Sequence, residues 1–226
     1  MQQNIARLTL RKEATRNAYN RMGRFYDLLT GRLERKHMDE GLQMLGISGG
    51  ETILEVGFGA GHAIVAMSRS AGGSGKVYGI DISDRMVEIA GHRVNRAKMA
   101  NRVMLQRGDA VELPYKDAFF DAIFMSFTLE LFDPLEMSAV LQHCRRVLKD
   151  DGRICVLSLS KQREDLENEG FMPRMYMLLH RALPRYIDCK PIAVRKILED
   201  AGFRTIDVVD GTICGLPVTI VSAYKN

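Results

Sequence analysis

The stretch TILEVGFGAGHAIVAM, residues 52–67, carries the strongest fold signal in the chain. Its apolar run contains one acid, Glu55, and leads into three glycines spaced two residues apart, Gly57, Gly59 and Gly61. Because glycine lacks a Cβ, a glycine-rich turn between a strand and a helix allows a ligand to approach the bare backbone. The stretch therefore predicts a strand, a turn that contacts a ligand, and a helix.

The spacing of the glycines distinguishes two classes of ligand. A dinucleotide fingerprint has the form G-x-G-x-x-G, and its last glycine lets a helix N-terminus face a pyrophosphate. Here the pattern is G-x-G-x-G, and position 62 is histidine. Glu55 would repel a pyrophosphate, whereas it suits a ligand that carries an ammonium and a sulfonium. The turn favours a nucleoside without phosphates over a nicotinamide dinucleotide.

Apolar, β-branched runs recur at 52–56, 76–81, 103–107, 121–127 and 153–159, and most are followed by helical spacing. This alternation predicts an α/β fold with a parallel sheet and crossover helices. Two further runs within residues 205–225 are close enough to pair antiparallel with each other.

The segment DPLEMSAVLQHCRRVLKDDG, residues 133–152, predicts one of these helices. Asp133 is expected as its N-cap, Pro134 as its first residue and Glu136 as the partner in a capping box. Helical spacing gives it one apolar face, formed by Met137, Val140, Leu141, Cys144, Val147 and Leu148.

Two more acids follow predicted strands. Asp81 ends the second strand, in VYGIDIS, where a carboxylate can accept both hydroxyls of a ribose. Asp109 follows the third strand, in QRGDAVELP, where it can accept from an exocyclic adenine amine. Glu55, the glycines, Asp81 and Asp109 together predict a nucleoside site.

These motifs resemble those of the class I S-adenosylmethionine-dependent methyltransferases: LEVGFGAG, GIDIS, GDAVELPY, FFDAIFMSF and RVLKDDGRICVLSLS match in order. The resemblance implies a doubly wound, mostly parallel seven-stranded α/β sheet, with the last strand, around 217–224, antiparallel. It also implies one methyltransferase domain over residues 1–226, with a helical cap over 1–46 and a helical lid inserted at 161–190. AYNRMGRFYDLLTG and the C-terminal segment are similar to the ubiquinone/menaquinone-biosynthesis C-methyltransferases and the bacterial phosphatidylethanolamine N-methyltransferases.

The resemblance also implies S-adenosylmethionine as cofactor and assigns residues to its parts. The three glycines would line the methionine moiety, and Glu55 would hold the turn or a water near its amine. Asp81 would bind the ribose. The remaining cofactor contacts implied are Tyr26, Ile82, Asp109, Ala110, Ser126 and Phe127.

Methyl transfer from a sulfonium depends mainly on alignment and exclusion of water, so no nucleophilic side chain is expected. An acceptor of high pKa must still lose a proton, and a general base would help. Tyr26 and Glu130 are the candidates, Tyr26 because the resemblance places FYD over the cofactor. Glu130 has an alternative interpretation as a solvated acid in the first turn of a helix.

The insertion at 161–190 predicts an amphipathic helix with an apolar stripe flanked by Arg174, Arg181 and Arg185. Such a helix suits a lid for a small hydrophobic or lipid-like acceptor, a quinone-precursor ring carbon or a phospholipid amine, reached from an anionic membrane surface. The alternative is a helix packed on the core with solvated arginines. A soluble metabolite as acceptor, and a non-enzymatic S-adenosylmethionine-binding protein, also stay open.

Composition narrows the partners and the location. With 32 basic and 28 acidic residues the net charge is only +4, and 7% aromatic residues without tryptophan argue against nucleic acid. The four cysteines lack metal-ligand spacing, so no metal is expected. No apolar run reaches about 18 residues and no leader pattern is visible, which predicts a cytoplasmic protein, in contact with a membrane only at its periphery.

Overall fold

The computed structural model describes residues 34–160, 191–213 and 215–226. Tyr26, most of the expected cap and the expected lid with its three arginines lie outside the described residues. Within the described part of the chain, no helix combines the length and apolarity needed to cross a membrane.

Seven strands form one sheet, in the order β3-β2-β1-β4-β5-β7-β6. The strands are β1 (Thr52–Val56), β2 (Lys76–Asp81), β3 (Val103–Arg107), β4 (Phe120–Ser126), β5 (Leu148–Leu159), β6 (Phe203–Ile213) and β7 (Leu216–Lys225). The first five run parallel, and β7 pairs antiparallel with both β5 and β6. The predicted fold class, with its antiparallel last strand, is confirmed.

The described helices are α1 (Arg35–Leu45), α2 (His62–Ser70), α3 (Asp84–Arg96), α4 (Pro134–Val147) and α5 (Val194–Asp200), with short 3₁₀ helices at Ala110–Glu112 and Leu129–Leu131. The predicted start of α4 is confirmed: Pro134 occupies its first position, and Asp133 and Glu136 form a capping box. All six residues of its predicted apolar face are buried.

The sheet separates two hydrophobic cores, because successive side chains of a strand point to opposite faces. In β1, Leu54 and Val56 join the core that contains α4, whereas Ile53 joins the core that contains α2. Glu55 alternates onto the α2 side with Ile53. The alternation thus places this acid beneath the first turn of α2.

The bounds of β4 and β5 differ from the sequence prediction, and β4 begins one residue earlier than predicted, at Phe120. Strand β5 begins at Leu148 rather than 153, because Leu148 pairs with Phe120 before a register irregularity, after which Arg153 pairs with Ala122. Strand β4 ends at Ser126, since the next residue, Phe127, has a φ of +49°.

Arg153 fixes α1 to the opposite edge of the sheet. Its guanidinium donates to both oxygens of Glu51, at 2.9 and 2.8 Å, and to the carbonyl of Gly46 at 2.7 Å. It also donates to the carbonyl of Leu45, the last residue of α1. The C-terminal end of α1 therefore lies near the start of β1 and beside Arg153 of β5.

Candidate active site

The predicted site residues converge at the edge where the parallel strands end. Glu55 lies near the end of β1, Asp81 ends β2, Asp109 follows β3 and Ser126 ends β4. Strands β1, β2 and β4 are direct neighbours, and β3 flanks β2. A crevice outside the carboxyl ends of such strands is where ligands bind in open α/β sheets.

The three glycines share a left-handed backbone but have different surroundings. Their φ angles are +71° at Gly57, +48° at Gly59 and +78° at Gly61. A Cβ at Gly57 would lie 2.3 Å from Oγ1 of Thr128, and one at Gly61 would lie 2.8 Å from Cβ of Ala90. A Cβ at Gly59 would meet no atom of the described residues within 4 Å. Packing thus requires glycine at Gly57 and Gly61, whereas the described residues leave the space beside Gly59 open.

Asp81 holds the glycine turn in place. Its Oδ2 accepts from the backbone N–H of Gly59 at 2.9 Å, and its Oδ1 accepts from that of Ser83 at 2.9 Å. Burial raises the pKa of this carboxyl, although both hydrogen bonds oppose the rise. Sequence reasoning assigned only a ribose contact to Asp81, and it missed this bond to the turn.

Glu55 is a buried acid, and one of its carboxylate oxygens forms no hydrogen bond with the described residues. Its side chain is 3% exposed and accepts from the backbone N–H of Ile64, in the first turn of α2. Its Oε2 has no hydrogen-bond partner among the described residues. Burial, together with the nearby charge of Asp81, raises the pKa of Glu55 well above its ordinary range. A cationic group bound nearby would stabilise the charged form.

The predicted adenine-side residues follow β2 and β3. Ile82 is half-buried directly after β2, and Ala110 is buried in the 3₁₀ helix after β3. Asp109 caps that helix, since its Oδ1 accepts from the N–H of Val111 at 3.1 Å. The cap fixes the direction of the carboxylate beside Ala110.

The end of β4 is tied to the glycine turn by Thr128, which sequence reasoning did not select. Its Oγ1 lies 3.0 Å from the carbonyl of Ser126 and 3.3 Å from that of Gly57, so its proton is shared between them. Phe127 stands between these residues and donates its N–H to the carbonyl of Leu157 at 2.8 Å. A bulky residue with positive φ is rare and is found mainly where a site imposes it.

Glu130 is buried, so its interpretation as a solvated acid is wrong. It lies in the 3₁₀ helix Leu129–Leu131 and is 1% exposed. Its Oε1 accepts from the N–H of Leu159 at 3.3 Å, and its Oε2 has no partner among the described residues. Burial raises the pKa of Glu130 to about 7, and the charge of Glu34 contributes in the same direction. The carboxyl is thus poised to exchange a proton near neutral pH.

Among the described residues, no three His, Cys, Asp or Glu side chains cluster as a metal site would require. Cys144 and Cys155 are buried free thiols, and burial raises the pKa of both. A thiol in such surroundings is unreactive. The functional groups of the site are therefore its carboxyls, its hydroxyls and the exposed backbone of the turn.

Comparison with known proteins points in the same direction as the geometry. A family model described as a methyltransferase domain matches residues 53–152. The ubiquinone/menaquinone biosynthesis C-methyltransferase of Azotobacter vinelandii is 33% identical over 195 residues, which cover 80% of this chain and 76% of that protein. The demethylmenaquinone methyltransferase of Lactobacillus johnsonii is 29% identical over 63% of this chain, and the match spans only 57% of that protein's length.

A solved structure shares the fold. The structure of an S-adenosylmethionine-dependent methyltransferase from Aquifex aeolicus superposes with a TM-score of 0.61 and 28% identity, covering 84% of this chain and 89% of that one. The overall fold of this chain is thus similar to that of an S-adenosylmethionine-dependent methyltransferase.

Proposed function

The chain belongs to the family of S-adenosylmethionine-dependent methyltransferases that includes the ubiquinone/menaquinone biosynthesis C-methyltransferases, and on that basis we propose that it methylates a ring carbon of a small, hydrophobic quinone precursor. The observation that carries the proposal is the 33% identity to such an enzyme over 80% of the chain. The relatives named above give no support to a phospholipid amine or a soluble metabolite as acceptor.

The residues at the edge of the sheet fit the cofactor. Among the described residues, none fills the space beside Gly59 and none binds Oε2 of Glu55, so this buried oxygen is available to a cationic ligand. Each carboxylate oxygen of Asp81 has two lone pairs, and a backbone N–H occupies only one of them. The remaining lone pairs would accept hydrogen bonds from the ribose hydroxyls. The predicted contacts of Ile82, Asp109 and Ala110 with the adenine belong to the same proposal.

S-Adenosylmethionine supplies an electrophilic methyl group, which is transferred from its sulfur to the acceptor carbon. The protein's part is to hold the acceptor in line and to keep water away. Ser126 and Phe127 would border the reacting atoms from the end of β4. Residues 1–46 as a cap and 161–190 as a lid would close the site over a hydrophobic acceptor, and contact with an anionic membrane through the lid arginines belongs to the same proposal.

A ring carbon that gains a methyl group loses its own hydrogen as a proton, and removal of a proton from a ring hydroxyl beforehand would make that carbon more nucleophilic. Among the described residues, Glu130 is the candidate that would accept this proton, since it is buried and burial raises its pKa to about 7. Tyr26 is the second candidate.

A competition experiment tests the acceptor. The protein is incubated with methyl-labelled S-adenosylmethionine and vesicles that contain both a demethylated menaquinol and phosphatidylethanolamine, and the extracted lipids are examined by mass spectrometry. We expect label in the quinone fraction alone. Label in the phospholipid alone, or in neither fraction, would reject the quinone precursor as acceptor.

A further inference from the structure

Arg146, in the last turn of α4, binds the loop between β3 and β4, a contact that sequence reasoning did not select. Its Nη1 donates to the carbonyl of Tyr115 at 2.7 Å, and its Nη2 donates to the carbonyl of Leu113 at 2.8 Å. Residues 113–119 lie outside helices and strands. One guanidinium thus holds two backbone groups of an irregular loop, and we call these two hydrogen bonds the Arg146 clamp.

The clamped loop directly follows the 3₁₀ helix Ala110–Glu112, which lies at the site. Asp109 caps this short helix through the N–H of Val111 at 3.1 Å. Ala110 and Leu113 are buried in the hydrophobic core that contains α4. A helix of three residues has too few hydrogen bonds to keep its position alone. The position of Asp109 and Ala110 therefore depends on how the loop that follows them is attached to α4.

The other polar contacts of Arg146 contribute less to this attachment. Nη1 also pairs with Asp117 at 2.7 Å, but the side chain of Asp117 is 78% exposed, and exposed ion pairs stabilise little. Nη2 lies 3.2 Å from Nδ1 of His143, one turn earlier on the same helix. The bonds to the two carbonyls are partly buried and involve a charged donor, which makes them the stronger contacts.

Other contacts keep the loop on the protein when the guanidinium is removed. The ring of Tyr115 packs edge-on against that of Phe120, with 4.9 Å between the ring centroids. The N–H of Ala118 donates to the backbone carbonyl of Arg146 at 3.0 Å, a bond that any side chain at this position retains. We therefore expect loss of the guanidinium to loosen residues 110–117 without unfolding the chain.

We propose that Arg146 is a positioning residue for the cofactor, because its clamp fixes the 3₁₀ helix that places Asp109 and Ala110 beside the adenine. This inference rests on the proposed adenine contacts of Asp109 and Ala110, and not on the identity of the acceptor. Without the clamp, the loop becomes ordered only when the ligand binds. Ordering the backbone of one residue lowers affinity by about tenfold.

The role of the clamp determines which ligands are affected. S-Adenosylhomocysteine and 5′-methylthioadenosine share the adenine and the ribose, but only the first carries an amino-acid end. Because the clamp acts at the adenine end, its loss should weaken both ligands by the same factor. A disturbance that reached the glycine turn and Glu55 would instead weaken S-adenosylhomocysteine more than the shorter nucleoside.

Calorimetric titration with both ligands tests the proposal. We expect Arg146→Gln to weaken each by about tenfold or more. Arg146→Lys should weaken both by a smaller common factor, since an ammonium cannot hold two carbonyls in the planar fork of a guanidinium. Arg145→Gln is the matched control, because this neighbouring arginine donates to the carbonyl of Asn226 at 2.6 Å, and it should keep wild-type affinity.

Urea denaturation establishes that each variant is folded before binding is measured. Wild-type affinity in folded Arg146→Gln, or a loss confined to S-adenosylhomocysteine, would overturn the proposal. If Arg146→Gln does not fold, Arg146→Lys decides in its place: a common loss for both ligands supports the proposal, and wild-type affinity overturns it.

Hydrogen exchange followed by mass spectrometry tests the clamp without any ligand. We expect the amides of Val111, Glu112 and residues 115–117 to exchange faster in Arg146→Gln, while the parallel strands exchange as in wild type. Arg145→Gln should leave the loop unchanged. Unchanged exchange of the loop in Arg146→Gln would overturn the clamp. A protein that passes both tests yet leaves the demethylated menaquinol unmethylated would refute the proposed acceptor and not the role of Arg146.

Discussion

Alanine at Gly57 is expected to destabilise the fold more than alanine at Gly59, whereas alanine at Gly59 is expected to weaken cofactor binding. Both positions have positive φ, +48° and +71°, and a residue with a Cβ costs roughly 1 kcal/mol or somewhat more in that region. At Gly59 no further penalty is expected, since a Cβ there meets no atom within 4 Å in the part of the chain that the structure describes. The N–H that binds Asp81 is kept in the alanine variant, so the turn retains its anchor.

At Gly57 the new Cβ would overlap Thr128. The distances are 2.3 Å to Oγ1 and 2.4 Å to Cγ2, so the 3₁₀ helix or the turn must shift. Overpacking of this kind adds about 1–3 kcal/mol. We therefore expect Gly57→Ala to lower the free energy of unfolding by about 2–4 kcal/mol and Gly59→Ala by about 1 kcal/mol.

Urea denaturation measures the two stabilities, and calorimetric titration with S-adenosylhomocysteine measures binding. Gly59→Ala should stay folded and weaken binding by more than about tenfold, because its Cβ enters the space assigned to the cofactor. The reasoning is refuted if Gly59→Ala binds with wild-type affinity, or if it destabilises the fold as much as Gly57→Ala does.

Three other predictions concern charged residues. Asp81→Asn should weaken S-adenosylhomocysteine binding by about 2 kcal/mol, the range for hydrogen bonds to a charged group; unchanged affinity by calorimetry would contradict the ribose contact. Arg153→Met should lower the free energy of unfolding by about 3 kcal/mol, since it leaves Glu51 without its cationic partner, and a urea midpoint equal to wild type would contradict this. Because the folded pKa of Glu130, about 7, exceeds its ordinary 4.5, the folded state binds more protons, and stability should fall by about 3 kcal/mol as pH rises through that window. Glu130→Gln should remove this loss, and urea denaturation at pH 5 and pH 8, on either side of the pKa near 7, checks it.

Local patterns predicted the sheet well because each strand and cap has a short-range cause. The capping box of Asp133 and Glu136 and the apolar runs of β1, β2 and β3 depend on neighbours within a few residues. The start of β5 was missed because Leu148 joins the sheet only through its pairing with Phe120. That pairing is a tertiary contact. Exposed polar residues separate Leu148 from the apolar run that begins at residue 153.

The candidate site was predicted where strand ends determine it and missed where distant segments meet. Asp81 follows from its place at the end of β2. Thr128 packs on Gly57, which lies 71 residues earlier in the sequence. The sequence around Thr128 contains no pattern that predicts this contact. The contact of Glu130 with β5 arises in the same way, since its partner Leu159 lies 29 residues further along the chain. A polar residue in a short helical turn looks solvated until the elements that cover it are known.

Locating the transferred methyl group tests the proposed activity most directly. The protein is incubated with a demethylated menaquinol and S-adenosylmethionine carrying a ¹³C-methyl group, and the extracted product is examined by carbon NMR. We predict one labelled methyl group bonded to a ring carbon, at a rate that falls in Gly59→Ala. A labelled methyl group on a hydroxyl oxygen, or a quinone without label, would contradict the proposal that this chain is a quinone-precursor C-methyltransferase.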